Sequence, residues 1–195
     1  MHADCLTMTL CSSVGRFSAV IQQTQITTNN KSFLNIDDGM QAILTRLHHC
    51  REQTAVVYVI GNGGSAAIAS HAVIDFLNMA KIKATAMLDP AVTTCISNDY
   101  GYEHVYEKQL AQFIEKKDVL IAISSSGNSK NIINAATFAK NKGAHVITLS
   151  GFSENNRLRQ IGDYNLWLNA NDYGQVEIGH AFILHYFTDR LREML

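Results

Sequence analysis

The sequence predicts an α/β protein: a parallel sheet with helices on both faces. Three observations carry this. Apolar, β-branched runs at 55–60, 119–123 and 144–149 lack the polar alternation of a half-exposed strand and fit strands buried on both sides. Strand runs alternate with segments of helical spacing, the pattern of a parallel sheet. Two of the strand-to-helix loops are rich in glycine and serine, and in such sheets ligands gather at the carboxyl ends of the strands.

The elements follow in order. Residues 1–12 carry no periodic signal, and chain termini are often poorly ordered. Residues 17–27 and 36–50 place apolar side chains at helical intervals, the second through Met40, Ile43, Leu44 and Leu47. Two helices ahead of the first clear strand must bury their faces on the sheet or on another subunit. Strand 55–60 leads to a helix at 66–80, then a short strand at 83–88. A loop or helix through Pro90 to residue 96 precedes a turn at Asn98-Asp99-Tyr100-Gly101 and a helix at 102–115. Strand 119–123, a helix ending near Lys142 with Gly143 as its cap, and strand 144–149 come next. A short helix near 155–161, a strand at 164–168 and a long helix over 175–194 complete the chain.

Composition bounds the function. At 195 residues the chain can bury one full core and is short of the size at which domains usually divide. Lys and Arg number 16 against 17 Asp and Glu, so no global field draws the protein to nucleic acid or to an acidic membrane. The single proline, Pro90, and the lack of a Ser/Gly/Pro-rich tract argue against linkers. The first dozen residues lack the basic start and apolar run of a signal peptide, and no run reaches the roughly 18 apolar residues of a membrane span. Cys5, Cys11, Cys50 and Cys95 have no Cys-x-x-Cys spacing and read as free thiols of a reducing cytoplasm.

The loop Ser124-Ser125-Ser126-Gly127-Asn128-Ser129 follows a strand and opens a helix. Its hydroxyls, beside helix amides that lack internal partners, form a neutral cradle for phosphate or carboxylate; alternatively they only cap the helix. A second corner, Gly61-Asn62-Gly63-Gly64-Ser65, repeats the arrangement, with Ser65 where an N-cap or early helical hydroxyl would meet an anion. It is neither a phosphate loop of the Gly-Lys-Ser/Thr kind nor a full Gly-x-Gly-x-x-Gly fingerprint, since Ala66 takes the third place, so no nucleotide cofactor is expected.

These two corners, with Asn98-Asp99-Tyr100-Gly101 between them, resemble the sugar isomerase (SIS) domain family, and more narrowly the phosphoheptose isomerases. The resemblance runs from about residue 38 to the C-terminus. It implies a three-layer α/β/α sandwich with a five-stranded parallel sheet over 38–195, preceded by a helical segment at 1–37 that could join subunits. It also implies homotetramers with sites shared between subunits, and conversion of sedoheptulose 7-phosphate to D-glycero-D-manno-heptose 7-phosphate for bacterial surface heptose. By the same resemblance Asn62, Gly63, Ser65, Asn98, Asp99, Ser124, Ser125, Ser126 and Ser129 would hold the phosphorylated sugar.

Moving a carbonyl between C1 and C2 needs a base for a carbon-bound proton, an acid at oxygen and stabilisation of an enediolate. His71 and Asp75, four apart, share a helix face, and His180 and His185 on the last helix are further candidates. The resemblance selects Asp75 and His185 as the acid/base pair without assigning which takes the carbon proton. It further implies that zinc could bind through His71, Asp75, Glu177 and His185. Glu177 and His185 are eight residues apart, a rise of about 12 Å in one helix, so sharing an ion would need extended side chains.

Four positions depart from the family pattern. Ile68 replaces an aspartate, Met79 an arginine, Asp75 the longer glutamate and Glu177 a glutamine. They leave two alternatives: an isomerase of another phosphosugar, or a non-catalytic SIS module similar to the replication-initiation regulators of this fold. Retention of Asp75 and His185 favours the enzyme.

Overall fold

The computed structural model describes residues 9–195. Its elements are α1 (Leu10–Gln22), β1 (Gln25–Thr28), β2 (Phe33–Leu34), α2 (Ile36–Glu52), β3 (Val56–Ile60), α3 (Gly64–Asn78) and β4 (Lys83–Thr85), then α4 (Pro90–Tyr100), α5 (Val105–Phe113), β5 (Val119–Ser124), α6 (Lys130–Asn141), β6 (His145–Ser150), β7 (Tyr164–Trp167) and α7 (Tyr173–Glu193). They form one sheet in the order β2-β1-β7-β6-β5-β3-β4. Strands β3 to β7 are mutually parallel, the five expected.

The sheet has seven strands rather than five, because β1 runs antiparallel to β7 and β2 antiparallel to β1. This corrects the first helix: it spans Leu10–Gln22, with Thr9 capping it by accepting from the Ser12 amide, and does not continue to residue 27. Ile26 and Thr27, read as helical, are instead buried on β1, which lies between β2 and β7. The expectation for residues 1–8, including the Cys5 thiol, lies outside the described residues. Cys11, Cys50 and Cys95 are free, and burial pushes the Cys50 thiol up to about 11, so it stays protonated.

The strands alternate between two cores. Val57, Val59, Val119 and Ile121 face α2, α3 and α7, whereas Tyr58, Ile60, Leu120 and Ala122 face α5 and α6. Phe76 and Phe187 are fully buried on the first face, each contributing about 1.5–3 kcal/mol. The set Met40, Ile43, Leu44 and Leu47 does face that core.

Two further local corrections bear on the site. Asn98 to Tyr100 are the last turn of α4, which Asp89 caps through the Ala91 and Val92 amides and Pro90 opens; Gly101, at φ +93°, ends it. The expected helix at 102–115 is a 3₁₀ turn, Tyr102–His104, followed by α5. Because β4 lies on one side of β3 and β5 on the other, the strand order reverses at β3, and the loops after β3 and β5 open side by side.

Candidate active site

Each corner is shaped by glycines that have no substitute. A Cβ on Gly61 would stand 2.6 Å from the Ser65 carbonyl carbon, and one on Gly127, at φ +64°, 1.9 Å from Asn156 Oδ1. Asn156 is buried under the serine loop. Its amide nitrogen donates to Ser150 Oγ and to the Gly151 and Ser153 carbonyls, and the Leu158 amide donates to the Gly127 carbonyl at 2.9 Å.

The two corners are joined directly. Asn62 Nδ2 donates to Asn131 Oδ1 at 2.9 Å, Asn131 Nδ2 donates back to Asn62 Oδ1 at 2.8 Å, and the Tyr102 hydroxyl donates to Asn62 Oδ1 at 3.1 Å. The Tyr106 hydroxyl donates to the Gly61 carbonyl. Between the corners lies a cavity of about 270 Å³ lined by Asn62, Gly63, Ser65, Ser124, Ser125, Ser126 and Ser129, with Tyr173 and Glu177 on the α7 side.

The hydroxyls are not consumed by capping. Ser129 is the N-cap of α6 yet makes no side-chain cap bond; its Oγ accepts from Ser124 Oγ at 3.3 Å. The N-cap of α3 is Gly63, which has no side chain to offer. Ser125 Oγ is buried with no partner among the described residues, an arrangement that costs about 1–3 kcal/mol unless something else supplies the bond. The cradle can therefore donate hydroxyl and helix-terminal N–H bonds to an anion.

Farther along α3, and on the facing stretch of α7, stands a second group. Asp75 Oδ2 lies 3.5 Å from His71 Nε2 and 3.2 Å from His185 Nδ1, and the two imidazole rings meet edge-on at 5.1 Å. The Asp75 side chain is only 16% exposed, whereas His71 and His185 are open. All three ligand atoms lie within 4.8 Å of one another, and two imidazoles with one carboxylate suit zinc with a fourth position free. Ala67, Ile68, Ala72, Ala181 and Leu184 complete an apolar cavity of about 270 Å³ around them.

Residues 18–151 match the SIS domain family. A phosphoheptose isomerase of Helicobacter pylori (strain P12) is 30% identical over 165 residues, which are 82% of this chain and 85% of that protein. The chain belongs to the SIS domain family, in its phosphoheptose isomerase branch. The phosphoheptose isomerase of Neisseria gonorrhoeae superposes with a TM-score of 0.81 at 25% identity, covering 94% of this chain and 97% of that one. For the Francisella tularensis phosphoheptose isomerase the TM-score is 0.78 at 26% identity, over 95% and 100%.

Not every expected residue joins this SIS site. Glu177 stands away from the His71–Asp75–His185 group, two turns before His185 on α7, and presses its carboxylate on Gly64, where a Cβ would meet Oε2 at 2.3 Å. Asn98 and Asp99 are exposed at the end of α4, hydrogen-bonded to each other at 2.9 Å, and line neither cavity. His180 is fully buried with Nε2 3.3 Å from the Ser150 carbonyl; burial pushes its pKa down to about 4, so it is a neutral core group. Asn131, Tyr102, Tyr173 and Asn156 escaped sequence reasoning. Only Asn131, two residues past the serine loop, carried a local signal.

Proposed function

We propose that this chain interconverts sedoheptulose 7-phosphate and D-glycero-D-manno-heptose 7-phosphate by proton transfer through an enediol. One observation carries the reading. A hydroxyl cradle and a carboxylate held by two imidazoles are linked along α3, where Ser65 of the cradle and His71, the partner of Asp75, are six residues apart, about 9 Å of helix rise. That is the reach of an extended sugar chain phosphorylated at its far end. The names of the relatives, phosphoheptose isomerases, support the same substrate.

In this reading Ser65, Ser124, Ser125, Ser126 and Ser129 grip the phosphate and leave C1 and C2 at Asp75 and His185. One of the pair removes the C1 proton of the ketose, the C1–H electron pair becomes the C1=C2 bond, and the other protonates the C2 oxygen. The enediol then takes a proton at C2 and gives up the O1 proton, leaving the aldose. Asp75 orients His185 by accepting from it, and the apolar wall around Ile68 and Leu184 keeps bulk water from the exchanging proton. His71, Asp75 and His185 would hold zinc, which when bound polarises the carbonyl oxygens as a Lewis acid. The exposed Val14, Ile178 and Phe182 on α1 and α7 support self-association into the tetramer of this reading, with residues 1–37 contributing to the contact. No helix of the described residues is long and apolar enough to cross a membrane, in keeping with a cytoplasmic enzyme.

The test is incubation with sedoheptulose 7-phosphate in deuterated buffer, with and without zinc, followed by NMR. Aldose formation with deuterium entering at the exchanging carbon is expected. Neither turnover nor exchange under either condition would exclude the isomerase.

A further inference from the structure

A cavity of about 190 Å³ lies away from both groups described above, between the β1–β2 turn and the 153–160 segment that follows β6. Its wall contains a charge that folding has placed out of water. Arg159 is 7% exposed, with its guanidinium 4.7 Å from the Trp167 ring and 5.9 Å from the Phe33 ring. Nη2 donates to Gln25 Oε1 at 2.6 Å and Nη1 to the Glu154 carbonyl at 3.1 Å. Its one carboxylate partner among the described residues, Glu154, stands 3.4 Å away and is itself more than half exposed at the rim. Beneath the guanidinium the Trp167 indole N–H is buried with no partner among the described residues. A buried cation balanced by one solvent-exposed acid is under-compensated.

The opposite wall adds a second cation. Lys31 sits at the hairpin turn with φ +60° and forms no ion pair among the described residues, and the Thr27 and Thr28 hydroxyls beside it have no side-chain partner there either. Arg159, Lys31, Thr27, Thr28 and Glu154 all line this cavity, whose volume of about 190 Å³ admits a compact anion. The guanidinium fork matches the paired oxygens of a phosphate or a carboxylate.

We propose that this cavity is a second anion site, distinct from the serine cradle, which takes a phosphate- or carboxylate-bearing small molecule between Arg159 and Lys31. The ligand displaces Glu154 from the guanidinium and accepts from the hydroxyls of Thr27 and Thr28. The segment that forms this wall also supports the serine loop. The Arg159 amide donates to Asn156 Oδ1 at 3.0 Å, and Asn156 lies under Gly127.

Calorimetric titration at fixed ionic strength, with pyrophosphate and separately with citrate, tests the site. The proteins are the wild type and a Ser126→Ala, Ser129→Ala double variant in which the cradle is weakened. One binding event should survive in the double variant, and Lys31→Ala added to it should weaken that event about tenfold or more. Arg159→Lys should do the same, with circular dichroism confirming that it folds; if it does not fold, Lys31→Ala decides. Hydrogen exchange should show amides of 153–160 protected by the anion. Binding of pyrophosphate alone assigns a phosphate ligand, of citrate alone a carboxylate, and of both a site for either. Absence of binding by both probes, loss of all binding in the double variant, or affinity unchanged by Lys31→Ala would overturn the proposal.

Discussion

Asp75 places both imidazoles within 3.5 Å of one carboxylate oxygen, so replacing any one of the three removes a contact from another. Asp75→Asn and His185→Gln should each lower deuterium exchange about 10²–10⁴-fold while leaving phosphosugar affinity, read by calorimetry, within a few-fold of wild type. Full activity in either variant would remove that residue from the acid/base pair. Ser125 makes a different prediction, because its buried hydroxyl has no partner among the described residues. Ser125→Ala should leave the melting temperature unchanged or slightly raised yet weaken phosphate binding; a clear loss of stability would mean that the hydroxyl serves the fold instead. His180 supplies a pH dependence. Its folded pKa of about 4 lies below the ordinary value of 6.5, so the unfolded chain binds the proton first as pH falls. The stability this group contributes is fully present above pH 6.5 and is lost progressively toward pH 4, to an extent on the order of 3 kcal/mol. Urea unfolding at pH 7 and pH 4.5 should show that slope, and His180→Asn should flatten it.

At the scale of elements, the two corners and the segments that clamp them decide how well the cradle is held. Gly127→Ala would force a left-handed residue to carry a Cβ into Asn156, so a loss of about 1–3 kcal/mol in chemical unfolding is expected, together with weaker phosphate binding. These corners were legible in the sequence because everything that defines them is local: a buried strand, glycines at the bend, hydroxyls at a helix start. The parallel strands were legible for a similar reason, since burial on both faces leaves an unbroken apolar run. What escaped was long-range. The Asn62–Asn131 pair spans 69 residues, and β1 is a strand only because Ile26 finds Leu166 on β7. Its four residues follow a helical stretch, and nothing local separates them from it. Glu177 fell between the two cases. Helix rise already set it about 12 Å from His185, and the structure puts it on Gly64.

For the whole molecule, one face remains unburied in a single chain. Val14 of α1 with Ile178 and Phe182 of α7 present apolar side chains to solvent, and Phe17 packs edge-on against Phe182 at 6.3 Å. If the proposed tetramer forms through this face, Phe182→Glu should shift the mass measured by light scattering toward the monomer while leaving circular dichroism unchanged; an unaltered mass would remove this face from the proposed contact. The residues lining the serine cradle include one carboxylate and neither Lys nor Arg. An anion held there is gripped by dipoles at short range rather than by opposite charge, and dipolar contacts are little screened by dissolved ions. Affinity for the phosphate should therefore change only slightly between dilute buffer and half-molar salt. Such a site would keep its hold through swings in ionic strength that strip ligands from lysine- and arginine-lined pockets.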